Sequence, residues 1–145
     1  MKREAIIQQA LRLLAFEVRE SDALASPDAV RNFLRLKLAD RRHEVFVVVF
    51  LDAQNRVIAT EEMFRGTLTQ TSVYPREVVI ASLARNAASV ILCHNHPSGV
   101  AEPSSADLAL TQTLRQCLAM VDVRVIDHLI IAGPSALSFA ERGLL

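Results

Sequence analysis

Residues 89–107 read SVILCHNHPSGVAEPSSAD, which combines an apolar run, two histidines, a short loop and the start of a helix. The run 89–93 predicts a strand that is covered on both faces. His94 and His96 follow it directly, and side chains two positions apart on a strand leave the same face. The spacing therefore predicts that both imidazole rings point to one place at a strand end.

The loop after the histidines is predicted to return toward them. Pro97 favours an extended backbone at His96, and the Ser-Gly pair at 98–99 favours a tight turn. Ser104 and Asp107 then open a helix with the spacing of a capping box. An aspartate one turn into a helix also directs its side chain toward the preceding loop, so Asp107 can face the histidines.

The two histidines and the aspartate form a ligand set that suits zinc. Two imidazole nitrogens and one carboxylate oxygen leave a fourth position for water, which is the arrangement of catalytic rather than structural zinc sites. The sequence therefore predicts one Zn²⁺ bound by His94, His96 and Asp107. Ser104 is left to cap the helix or to lie near the open position.

A hydrolytic zinc site also needs a carboxylate base that is not itself a ligand. Glu102 lies in the return loop and is expected in solvent. Glu61 and Glu62 are neighbours on a predicted strand, so only one of them can face any given side. Glu44 immediately precedes the β-branched and aromatic run 45–51, which predicts a central strand. Position alone favours Glu44 slightly over the other three glutamates.

The remaining pattern predicts one α/β domain. Hydrophobic periodicity, with proline and polar punctuation, indicates helices at 5–19, 26–39, 75–87 and 104–120, and strands at 45–51, 57–64, 89–93, 123–126, 128–131 and 137–139. Neither an internal repeat nor a long linker divides them. We therefore predict an α/β sandwich with a mixed sheet, helices on its faces and the metal loop at one edge.

Composition excludes some classes of function. At 145 residues and 51% apolar content, the chain is long enough for one folded domain. Its 16 basic and 16 acidic residues give no overall positive field that would attract nucleic acid or an anionic membrane. The pattern predicts neither a signal peptide nor a membrane span, and the two cysteines form no C-x-x-C motif. We expect a soluble, cytoplasmic protein with no membrane partner.

Three further residues are expected to have structural roles. His128 follows Asp127 within an apolar run, which favours a supporting or core position over metal ligation. His43 stands beside two arginines and is expected in a solvated loop. Cys93 lies on the opposite strand face from His94, so a buried thiol is expected instead of a ligand.

The candidate site residues resemble the JAMM motif of the MPN/JAB metalloprotease fold. That motif pairs an upstream glutamate, here Glu44, with H-x-H, seven residues and S-x-x-D. Further segments are similar to the RadC family over about residues 26–145. They are residues 66–67, 75–77, 86–88, the HNHPSG loop at 94–99, and residues 127–130 and 138–145.

The resemblance implies a role for each residue of the motif. His94, His96 and Asp107 would bind zinc. Glu44 would orient and deprotonate a water molecule, and Ser104 would help to stabilise a tetrahedral oxyanion.

The resemblance also implies the fold and the domain organisation. The fold is a single MPN/JAB-like domain of the α/β class, a cytidine-deaminase-like three-layer sandwich with a mixed sheet flanked by helices. Residues 1–25 contain no glycine, whereas many members of the family carry glycine-rich hairpins that bind DNA. The chain thus resembles the short, YeeS-like branch, with an N-terminal helix at 1–25 and the RadC-like domain at 26–145.

We predict zinc-dependent hydrolysis of peptide or isopeptide bonds, with a peptide or protein as the substrate. The alternative is an accessory protein of DNA repair or anti-restriction that is associated with DNA, directly or only indirectly, or with its processing partners. In this alternative the zinc site is structural or of minor catalytic use. A third hypothesis is phosphodiester hydrolysis. It ranks last because many nucleases use two metal ions, and the carboxylates found suffice for one.

Overall fold

The computed structural model describes residues 2–20, 27–68 and 71–145. Within them the chain forms four helices and five strands. In chain order these are α1 (Lys2–Glu20), α2 (Pro27–Leu38), β1 (Val45–Leu51), β2 (Val57–Arg65), α3 (Pro75–Ala84), β3 (Ser89–Asn95), α4 (Ser105–Ala119), β4 (Arg124–Ala132) and β5 (Ser135–Ser138). The predicted helix cap at Ser26 lies outside the described residues.

The strands form one mixed sheet in the order β2-β1-β3-β4-β5. β1 pairs antiparallel with both β2 and β3, β3 pairs parallel with β4, and β4 pairs antiparallel with β5. All seven residues of β1 and all seven of β3 are buried, as the continuous apolar runs predict for strands covered on both faces. The mixed sheet and the interior position of both strands are confirmed.

Helices cover both faces of this sheet. Side chains alternate along β1, so Val47 and Val49 pack with Leu34 of α2 on one face, whereas Val48 and Phe50 lie on the other. The second face also takes core side chains from α3 and α4. The three-layer α/β arrangement predicted from the sequence is therefore confirmed.

Helix α1 packs its inner side on the α2 face of the core. Leu11 and Leu14 contact this core, whereas Leu13 and Phe16 are exposed. The division of the chain at residue 25 stays a prediction. No helix in the described parts of the chain has the length and apolar content needed to cross a membrane.

The predicted strands at 123–126 and 128–131 are in fact one strand, β4. Asp127 suggested a break, but its carboxylate accepts hydrogen bonds from the Ser138 hydroxyl (2.6 Å) and the backbone N–H of Ala140 (3.0 Å). A polar residue satisfied in this way does not interrupt a strand. The register with β3 shifts at this point, from Val90–Val125 to Ile91–Asp127, so a bulge absorbs the irregular pattern.

The second difference concerns the end of α3, which stops at Ala84 and not at residue 87. Asn86 adopts φ 55°, in the left-handed region, which asparagine tolerates better than most residues. A residue in this conformation cannot continue a right-handed helix. The last strand, β5, begins two residues before the predicted start at 137.

Pairing of β1 with β3 places two strand ends side by side. Phe46 near the start of β1 is the partner of His94 near the end of β3. The residues just before β1 therefore lie next to the residues just after β3. The predicted metal loop follows β3 and therefore lies at this end of the sheet.

We expect Leu114→Ala to destabilise the domain by about 2–5 kcal/mol, because it leaves a cavity under α4. Leu114 is fully buried against the sheet. The control on the same helix is Leu108→Ala, since Leu108 is 40% exposed. Urea denaturation followed by circular dichroism measures both free energies of unfolding, and equal losses would contradict this account of the core.

Candidate metal centre

The side chains of His94, His96 and Asp107 converge on one point. The two Nε2 atoms are 3.1 Å apart. Asp107 Oδ1 lies 3.2 Å from His94 Nε2, and Oδ2 lies 3.1 Å from His96 Nε2. One ligand atom from each residue lies within 4.8 Å of the other two, so the group could hold a metal ion.

The end of β3 sets the positions of both histidines. His94 is a strand residue and is buried, whereas His96 is the first residue past the strand. The extended course continues nonetheless, because the His96 N–H donates to the carbonyl of Ile131 (2.8 Å) on β4. The two rings therefore leave the same face, as their spacing predicts, with centroids 4.9 Å apart.

A tight turn then orients the His96 ring. The N–H of Gly99 donates to the carbonyl of His96 (3.0 Å), and Gly99 adopts φ 85°, which glycine reaches without steric cost. His96 Nδ1 lies 2.7 Å from the carbonyl oxygen of Val100, which can only accept. The Nδ1 atom therefore carries the proton of a neutral ring, and Nε2 turns a lone pair toward Asp107.

Asp107 is both a helix cap and a member of this group. Ser104 Oγ accepts from the Asp107 N–H (3.0 Å), and Asp107 Oδ2 accepts from the Ser104 N–H (2.8 Å), which completes a capping box. Burial alone would raise the pKa of Asp107. Hydrogen bonds that His94 and His96 donate when their Nε2 atoms are protonated outweigh it and hold that pKa well below the usual range, so the carboxylate is ionised.

The donor set fits a divalent metal ion such as zinc. Two unprotonated Nε2 atoms at 3.1 Å repel each other unless a proton or a cation lies between them. An ionised carboxylate completes the three protein ligands of an open zinc site. The hydrogen bond to Asp107 also raises the pKa of His96, so a proton competes with a metal ion for that nitrogen.

Glu44 lies on the wall of the cavity that contains this group. The cavity has a volume of about 520 Å³, and Ser104 lines it as well. Glu44 is only 7% exposed, and burial raises its pKa, although nearby His94 and His96 oppose the shift. Its backbone is bound on both sides, since its N–H donates to the carbonyl of Thr67 and its carbonyl accepts from Gly66, both at 2.7 Å.

The three other candidate bases lie elsewhere. None of them lines the cavity, and each forms an ion pair at the surface. Glu61 pairs with Arg85 (3.4 Å), Glu62 with Arg41 (2.6 Å), and Glu102 with Arg142 (3.2 Å). Position in the sequence favours Glu44 only slightly, whereas in the structure Glu44 is the one of these four glutamates that lines the cavity.

A model described as the RadC-like JAB domain matches residues 24–144. The chain belongs to the RadC family. Its relatives include UPF0758 proteins from three bacteria. That of Thiobacillus denitrificans is 64% identical over 142 residues, that of Nitrosospira multiformis 62% over 142 residues, and that of Dechloromonas aromatica 61% over 143 residues.

Each alignment covers 98% of this chain and 63% of the relative. The chain therefore spans slightly less than two thirds of the length of these RadC relatives. Its assignment to a short branch of the family stays a prediction, as do the metal-binding and catalytic roles of the individual site residues.

Asn95, between the two histidines of this RadC domain, has a role that the sequence analysis missed. Its Oδ1 accepts from the N–H of Val45 (2.7 Å), and its Nδ2 donates to the carbonyl of His43 (3.1 Å). One side chain thus binds the backbone on both sides of Glu44. The only sequence signal for this role is strand alternation, which turns the side chain of residue 95 to the opposite face from His94 and His96.

His128 and Thr111 form a second layer behind His94. His128 is fully buried, and its Nε2 lies 2.8 Å from His94 Nδ1. Its Nδ1 lies 2.6 Å from Thr111 Oγ1. Burial lowers the pKa of His128 well below the ordinary value, which keeps the ring neutral. These contacts agree with the supporting position expected for His128, whereas Thr111 carried no signal in the sequence.

The expectations for Cys93 and His43 had different outcomes. Cys93 is buried on the α2 side of the sheet, and burial raises the pKa of its thiol, as expected for a core residue. The solvated loop position predicted for His43 is correct only in part, because His43 lies in the loop before β1 and is partly exposed, but its ring is not fully in solvent. Its Nε2 atom is buried and has no hydrogen-bond partner among the described residues. The bond from Asn95 to its carbonyl holds His43 against the end of the sheet.

We expect Asn95→Ala to lower the free energy of unfolding of the metal-free protein by about 1–3 kcal/mol, because it leaves the buried N–H of Val45 without an acceptor. Asn32→Ala, on the exposed side of α2, is the control and should change stability by less than about 0.5 kcal/mol. Chemical denaturation measures both. A change for Asn95→Ala no larger than that of the control would show that the two bonds contribute nothing.

Proposed function

We propose that this RadC-like domain is a zinc-dependent hydrolase of peptide or isopeptide bonds. The observation that carries the proposal is the position of Glu44. A buried carboxylate that is not a member of the ligand group lines the same cavity as His94, His96 and Asp107. A carboxylate base beside an open three-ligand site is the combination that metal-assisted hydrolysis requires.

His94, His96 and Asp107 would hold the zinc. When bound, zinc lowers the pKa of a coordinated water to about 7 and polarises a carbonyl group. Glu44 then accepts a proton from the attacking water and delivers it to the amine that leaves. Its burial suits this task, because a carboxyl group whose pKa is raised holds a proton longer than an exposed one.

Ser104 can donate a hydrogen bond into the cavity without leaving its cap. Its oxygen accepts from the Asp107 N–H, so the hydroxyl proton is not needed for capping. We propose that this proton stabilises the oxyanion that forms when the carbonyl is attacked. Such a donor contributes up to about 3–4 kcal/mol in acyl-transfer enzymes. Helix capping uses the Ser104 oxygen, whereas oxyanion stabilisation would use its proton. One hydroxyl group can therefore serve both roles.

Two features favour an amide over a phosphodiester as the substrate. Within residues 2–20, 27–68 and 71–145, His94, His96 and Asp107 are the only group of three or more such side chains placed to hold a metal ion. Many nucleases require two ions. The equal numbers of acidic and basic residues also give no reason to propose direct DNA binding, so a peptide or protein is the partner that we propose.

We expect the purified protein to contain about one zinc ion per chain, in keeping with one three-ligand site. His96→Ala should lose it, because a ligand atom is removed. His43→Gln, which changes a histidine outside the ligand group, should retain it. Elemental analysis by mass spectrometry gives the ratio for each protein, and full zinc content in His96→Ala would refute the site.

We expect Glu44→Gln to keep its zinc and to lose about 10²–10⁴-fold in turnover, because glutamine cannot accept a proton from water. The assay uses a fluorogenic peptide library together with a lysine-linked isopeptide. Glu102→Gln removes an exposed carboxylate from the loop between β3 and α4 and should match the wild type.

Two results would contradict the role proposed for Glu44. Loss of zinc in Glu44→Gln would make Glu44 a ligand. Unchanged turnover would mean that Glu44 is not the base.

A further inference from the structure

The two histidines of the metal centre differ in what holds their Nδ1 atoms. His96 Nδ1 faces the carbonyl of Val100, which can only accept a hydrogen bond. His94 Nδ1 instead faces another imidazole, His128 Nε2, at 2.8 Å. A neutral imidazole nitrogen either donates or accepts, so this contact alone does not determine where the proton lies. The tautomer of His94 must be determined one step further away.

Thr111 supplies that step. It lies one turn after Asp107 on α4, and its Oγ1 is 2.8 Å from the carbonyl oxygen of Asp107 and 2.6 Å from His128 Nδ1. A hydroxyl has one proton to donate. The Asp107 carbonyl oxygen can only accept, so the hydroxyl proton satisfies this contact. If the proton went to His128, two oxygen acceptors would face each other at 2.8 Å with no proton between them.

The positions of the other protons follow. Because the Thr111 proton is used, the bond between Thr111 and His128 needs a proton on His128 Nδ1. A neutral His128 then has a lone pair on Nε2, and the bond to His94 needs a proton on His94 Nδ1. His94 Nε2 is consequently free of a proton and directs its lone pair at the ligand group. This is the one arrangement of neutral rings that satisfies all three contacts.

We propose that Thr111 and His128 are positioning residues that fix the metal-binding tautomer of His94. The inference rests on the zinc site proposed above, and it adds two residues that do not touch the ion. Residues behind histidine ligands commonly set the tautomer and the ring orientation, and their loss costs about 10- to 100-fold in metal affinity.

The first test compares zinc affinities. Thr111→Val keeps the shape of the side chain but removes the hydroxyl, so zinc should bind about 10- to 100-fold more weakly. Thr111→Ser keeps the hydroxyl and should restore most of the affinity. Thr113→Val is the control, since Thr113 lies on the same helix but is exposed. Competition with a chromophoric zinc chelator measures each dissociation constant, and equal affinities for Thr111→Val and the wild type would overturn the proposal.

The second test reads the proton directly and needs no variant. Two-dimensional ¹⁵N–¹H correlation spectra of the histidine rings distinguish a protonated from an unprotonated ring nitrogen. In the metal-free wild type, His128 should carry its proton on Nδ1 and none on Nε2. A proton on Nε2 would overturn the proposal even if Thr111→Val does not fold.

The two tests separate this inference from the proposed function. A wild type that binds no zinc but has the proton on His128 Nδ1 would refute the zinc hydrolase and support the proton arrangement. A wild type that binds zinc but has the proton on Nε2 would leave the hydrolase intact and refute the positioning role.

Discussion

The antiparallel register between β1 and β3 is the constraint on which the rest of the site depends. Phe46 pairs with His94, and both strands are buried on both faces. Continuing the register by two residues brings Glu44 level with His96, and side chains two positions apart share a face. A slip of one residue would turn Glu44 to the other side of the sheet. The packing that excludes water from both strands therefore also fixes the candidate base, Glu44, relative to the candidate ligands.

Burying polar groups at this end of the sheet is costly unless they find partners, and three buried groups find theirs through hydrogen bonds between different elements. Asn95 satisfies the buried N–H of Val45. Thr111 satisfies His128, and His128 in turn satisfies His94. Each bond that avoids an unpaired polar atom also removes a degree of freedom from a candidate site residue. The hydrogen bonds that stabilise this end of the sheet are therefore the same bonds that position the candidate site residues.

Local sequence pattern was sufficient to predict the strands at 45–51 and 89–93 and the convergence of the three candidate ligands. Strand burial and ligand spacing both depend on residues that are close together in the sequence. Local pattern was not sufficient to select Glu44, which lies fifty positions from His94 and depends on strand register. Thr111 lacked any signal because its partner, His128, is on another element. Asp127 misled the strand prediction, because two of its hydrogen-bond partners lie at 138 and 140. Long-range pairing accounts for each of these failures.

The first two turns of α4 carry a helix cap, a candidate metal ligand and a residue that contacts His128. Residues four apart share one helix face, so Asp107 and Thr111 present a carboxylate and a hydroxyl to the same end of the sheet. Asp107 caps the helix through one oxygen, Oδ2, that also faces His96. A cation bound at this carboxylate would bind the folded helix start and not the unfolded chain, so its binding free energy would add to the stability of the fold. The start of α4 is therefore the point at which metal binding would be coupled to folding.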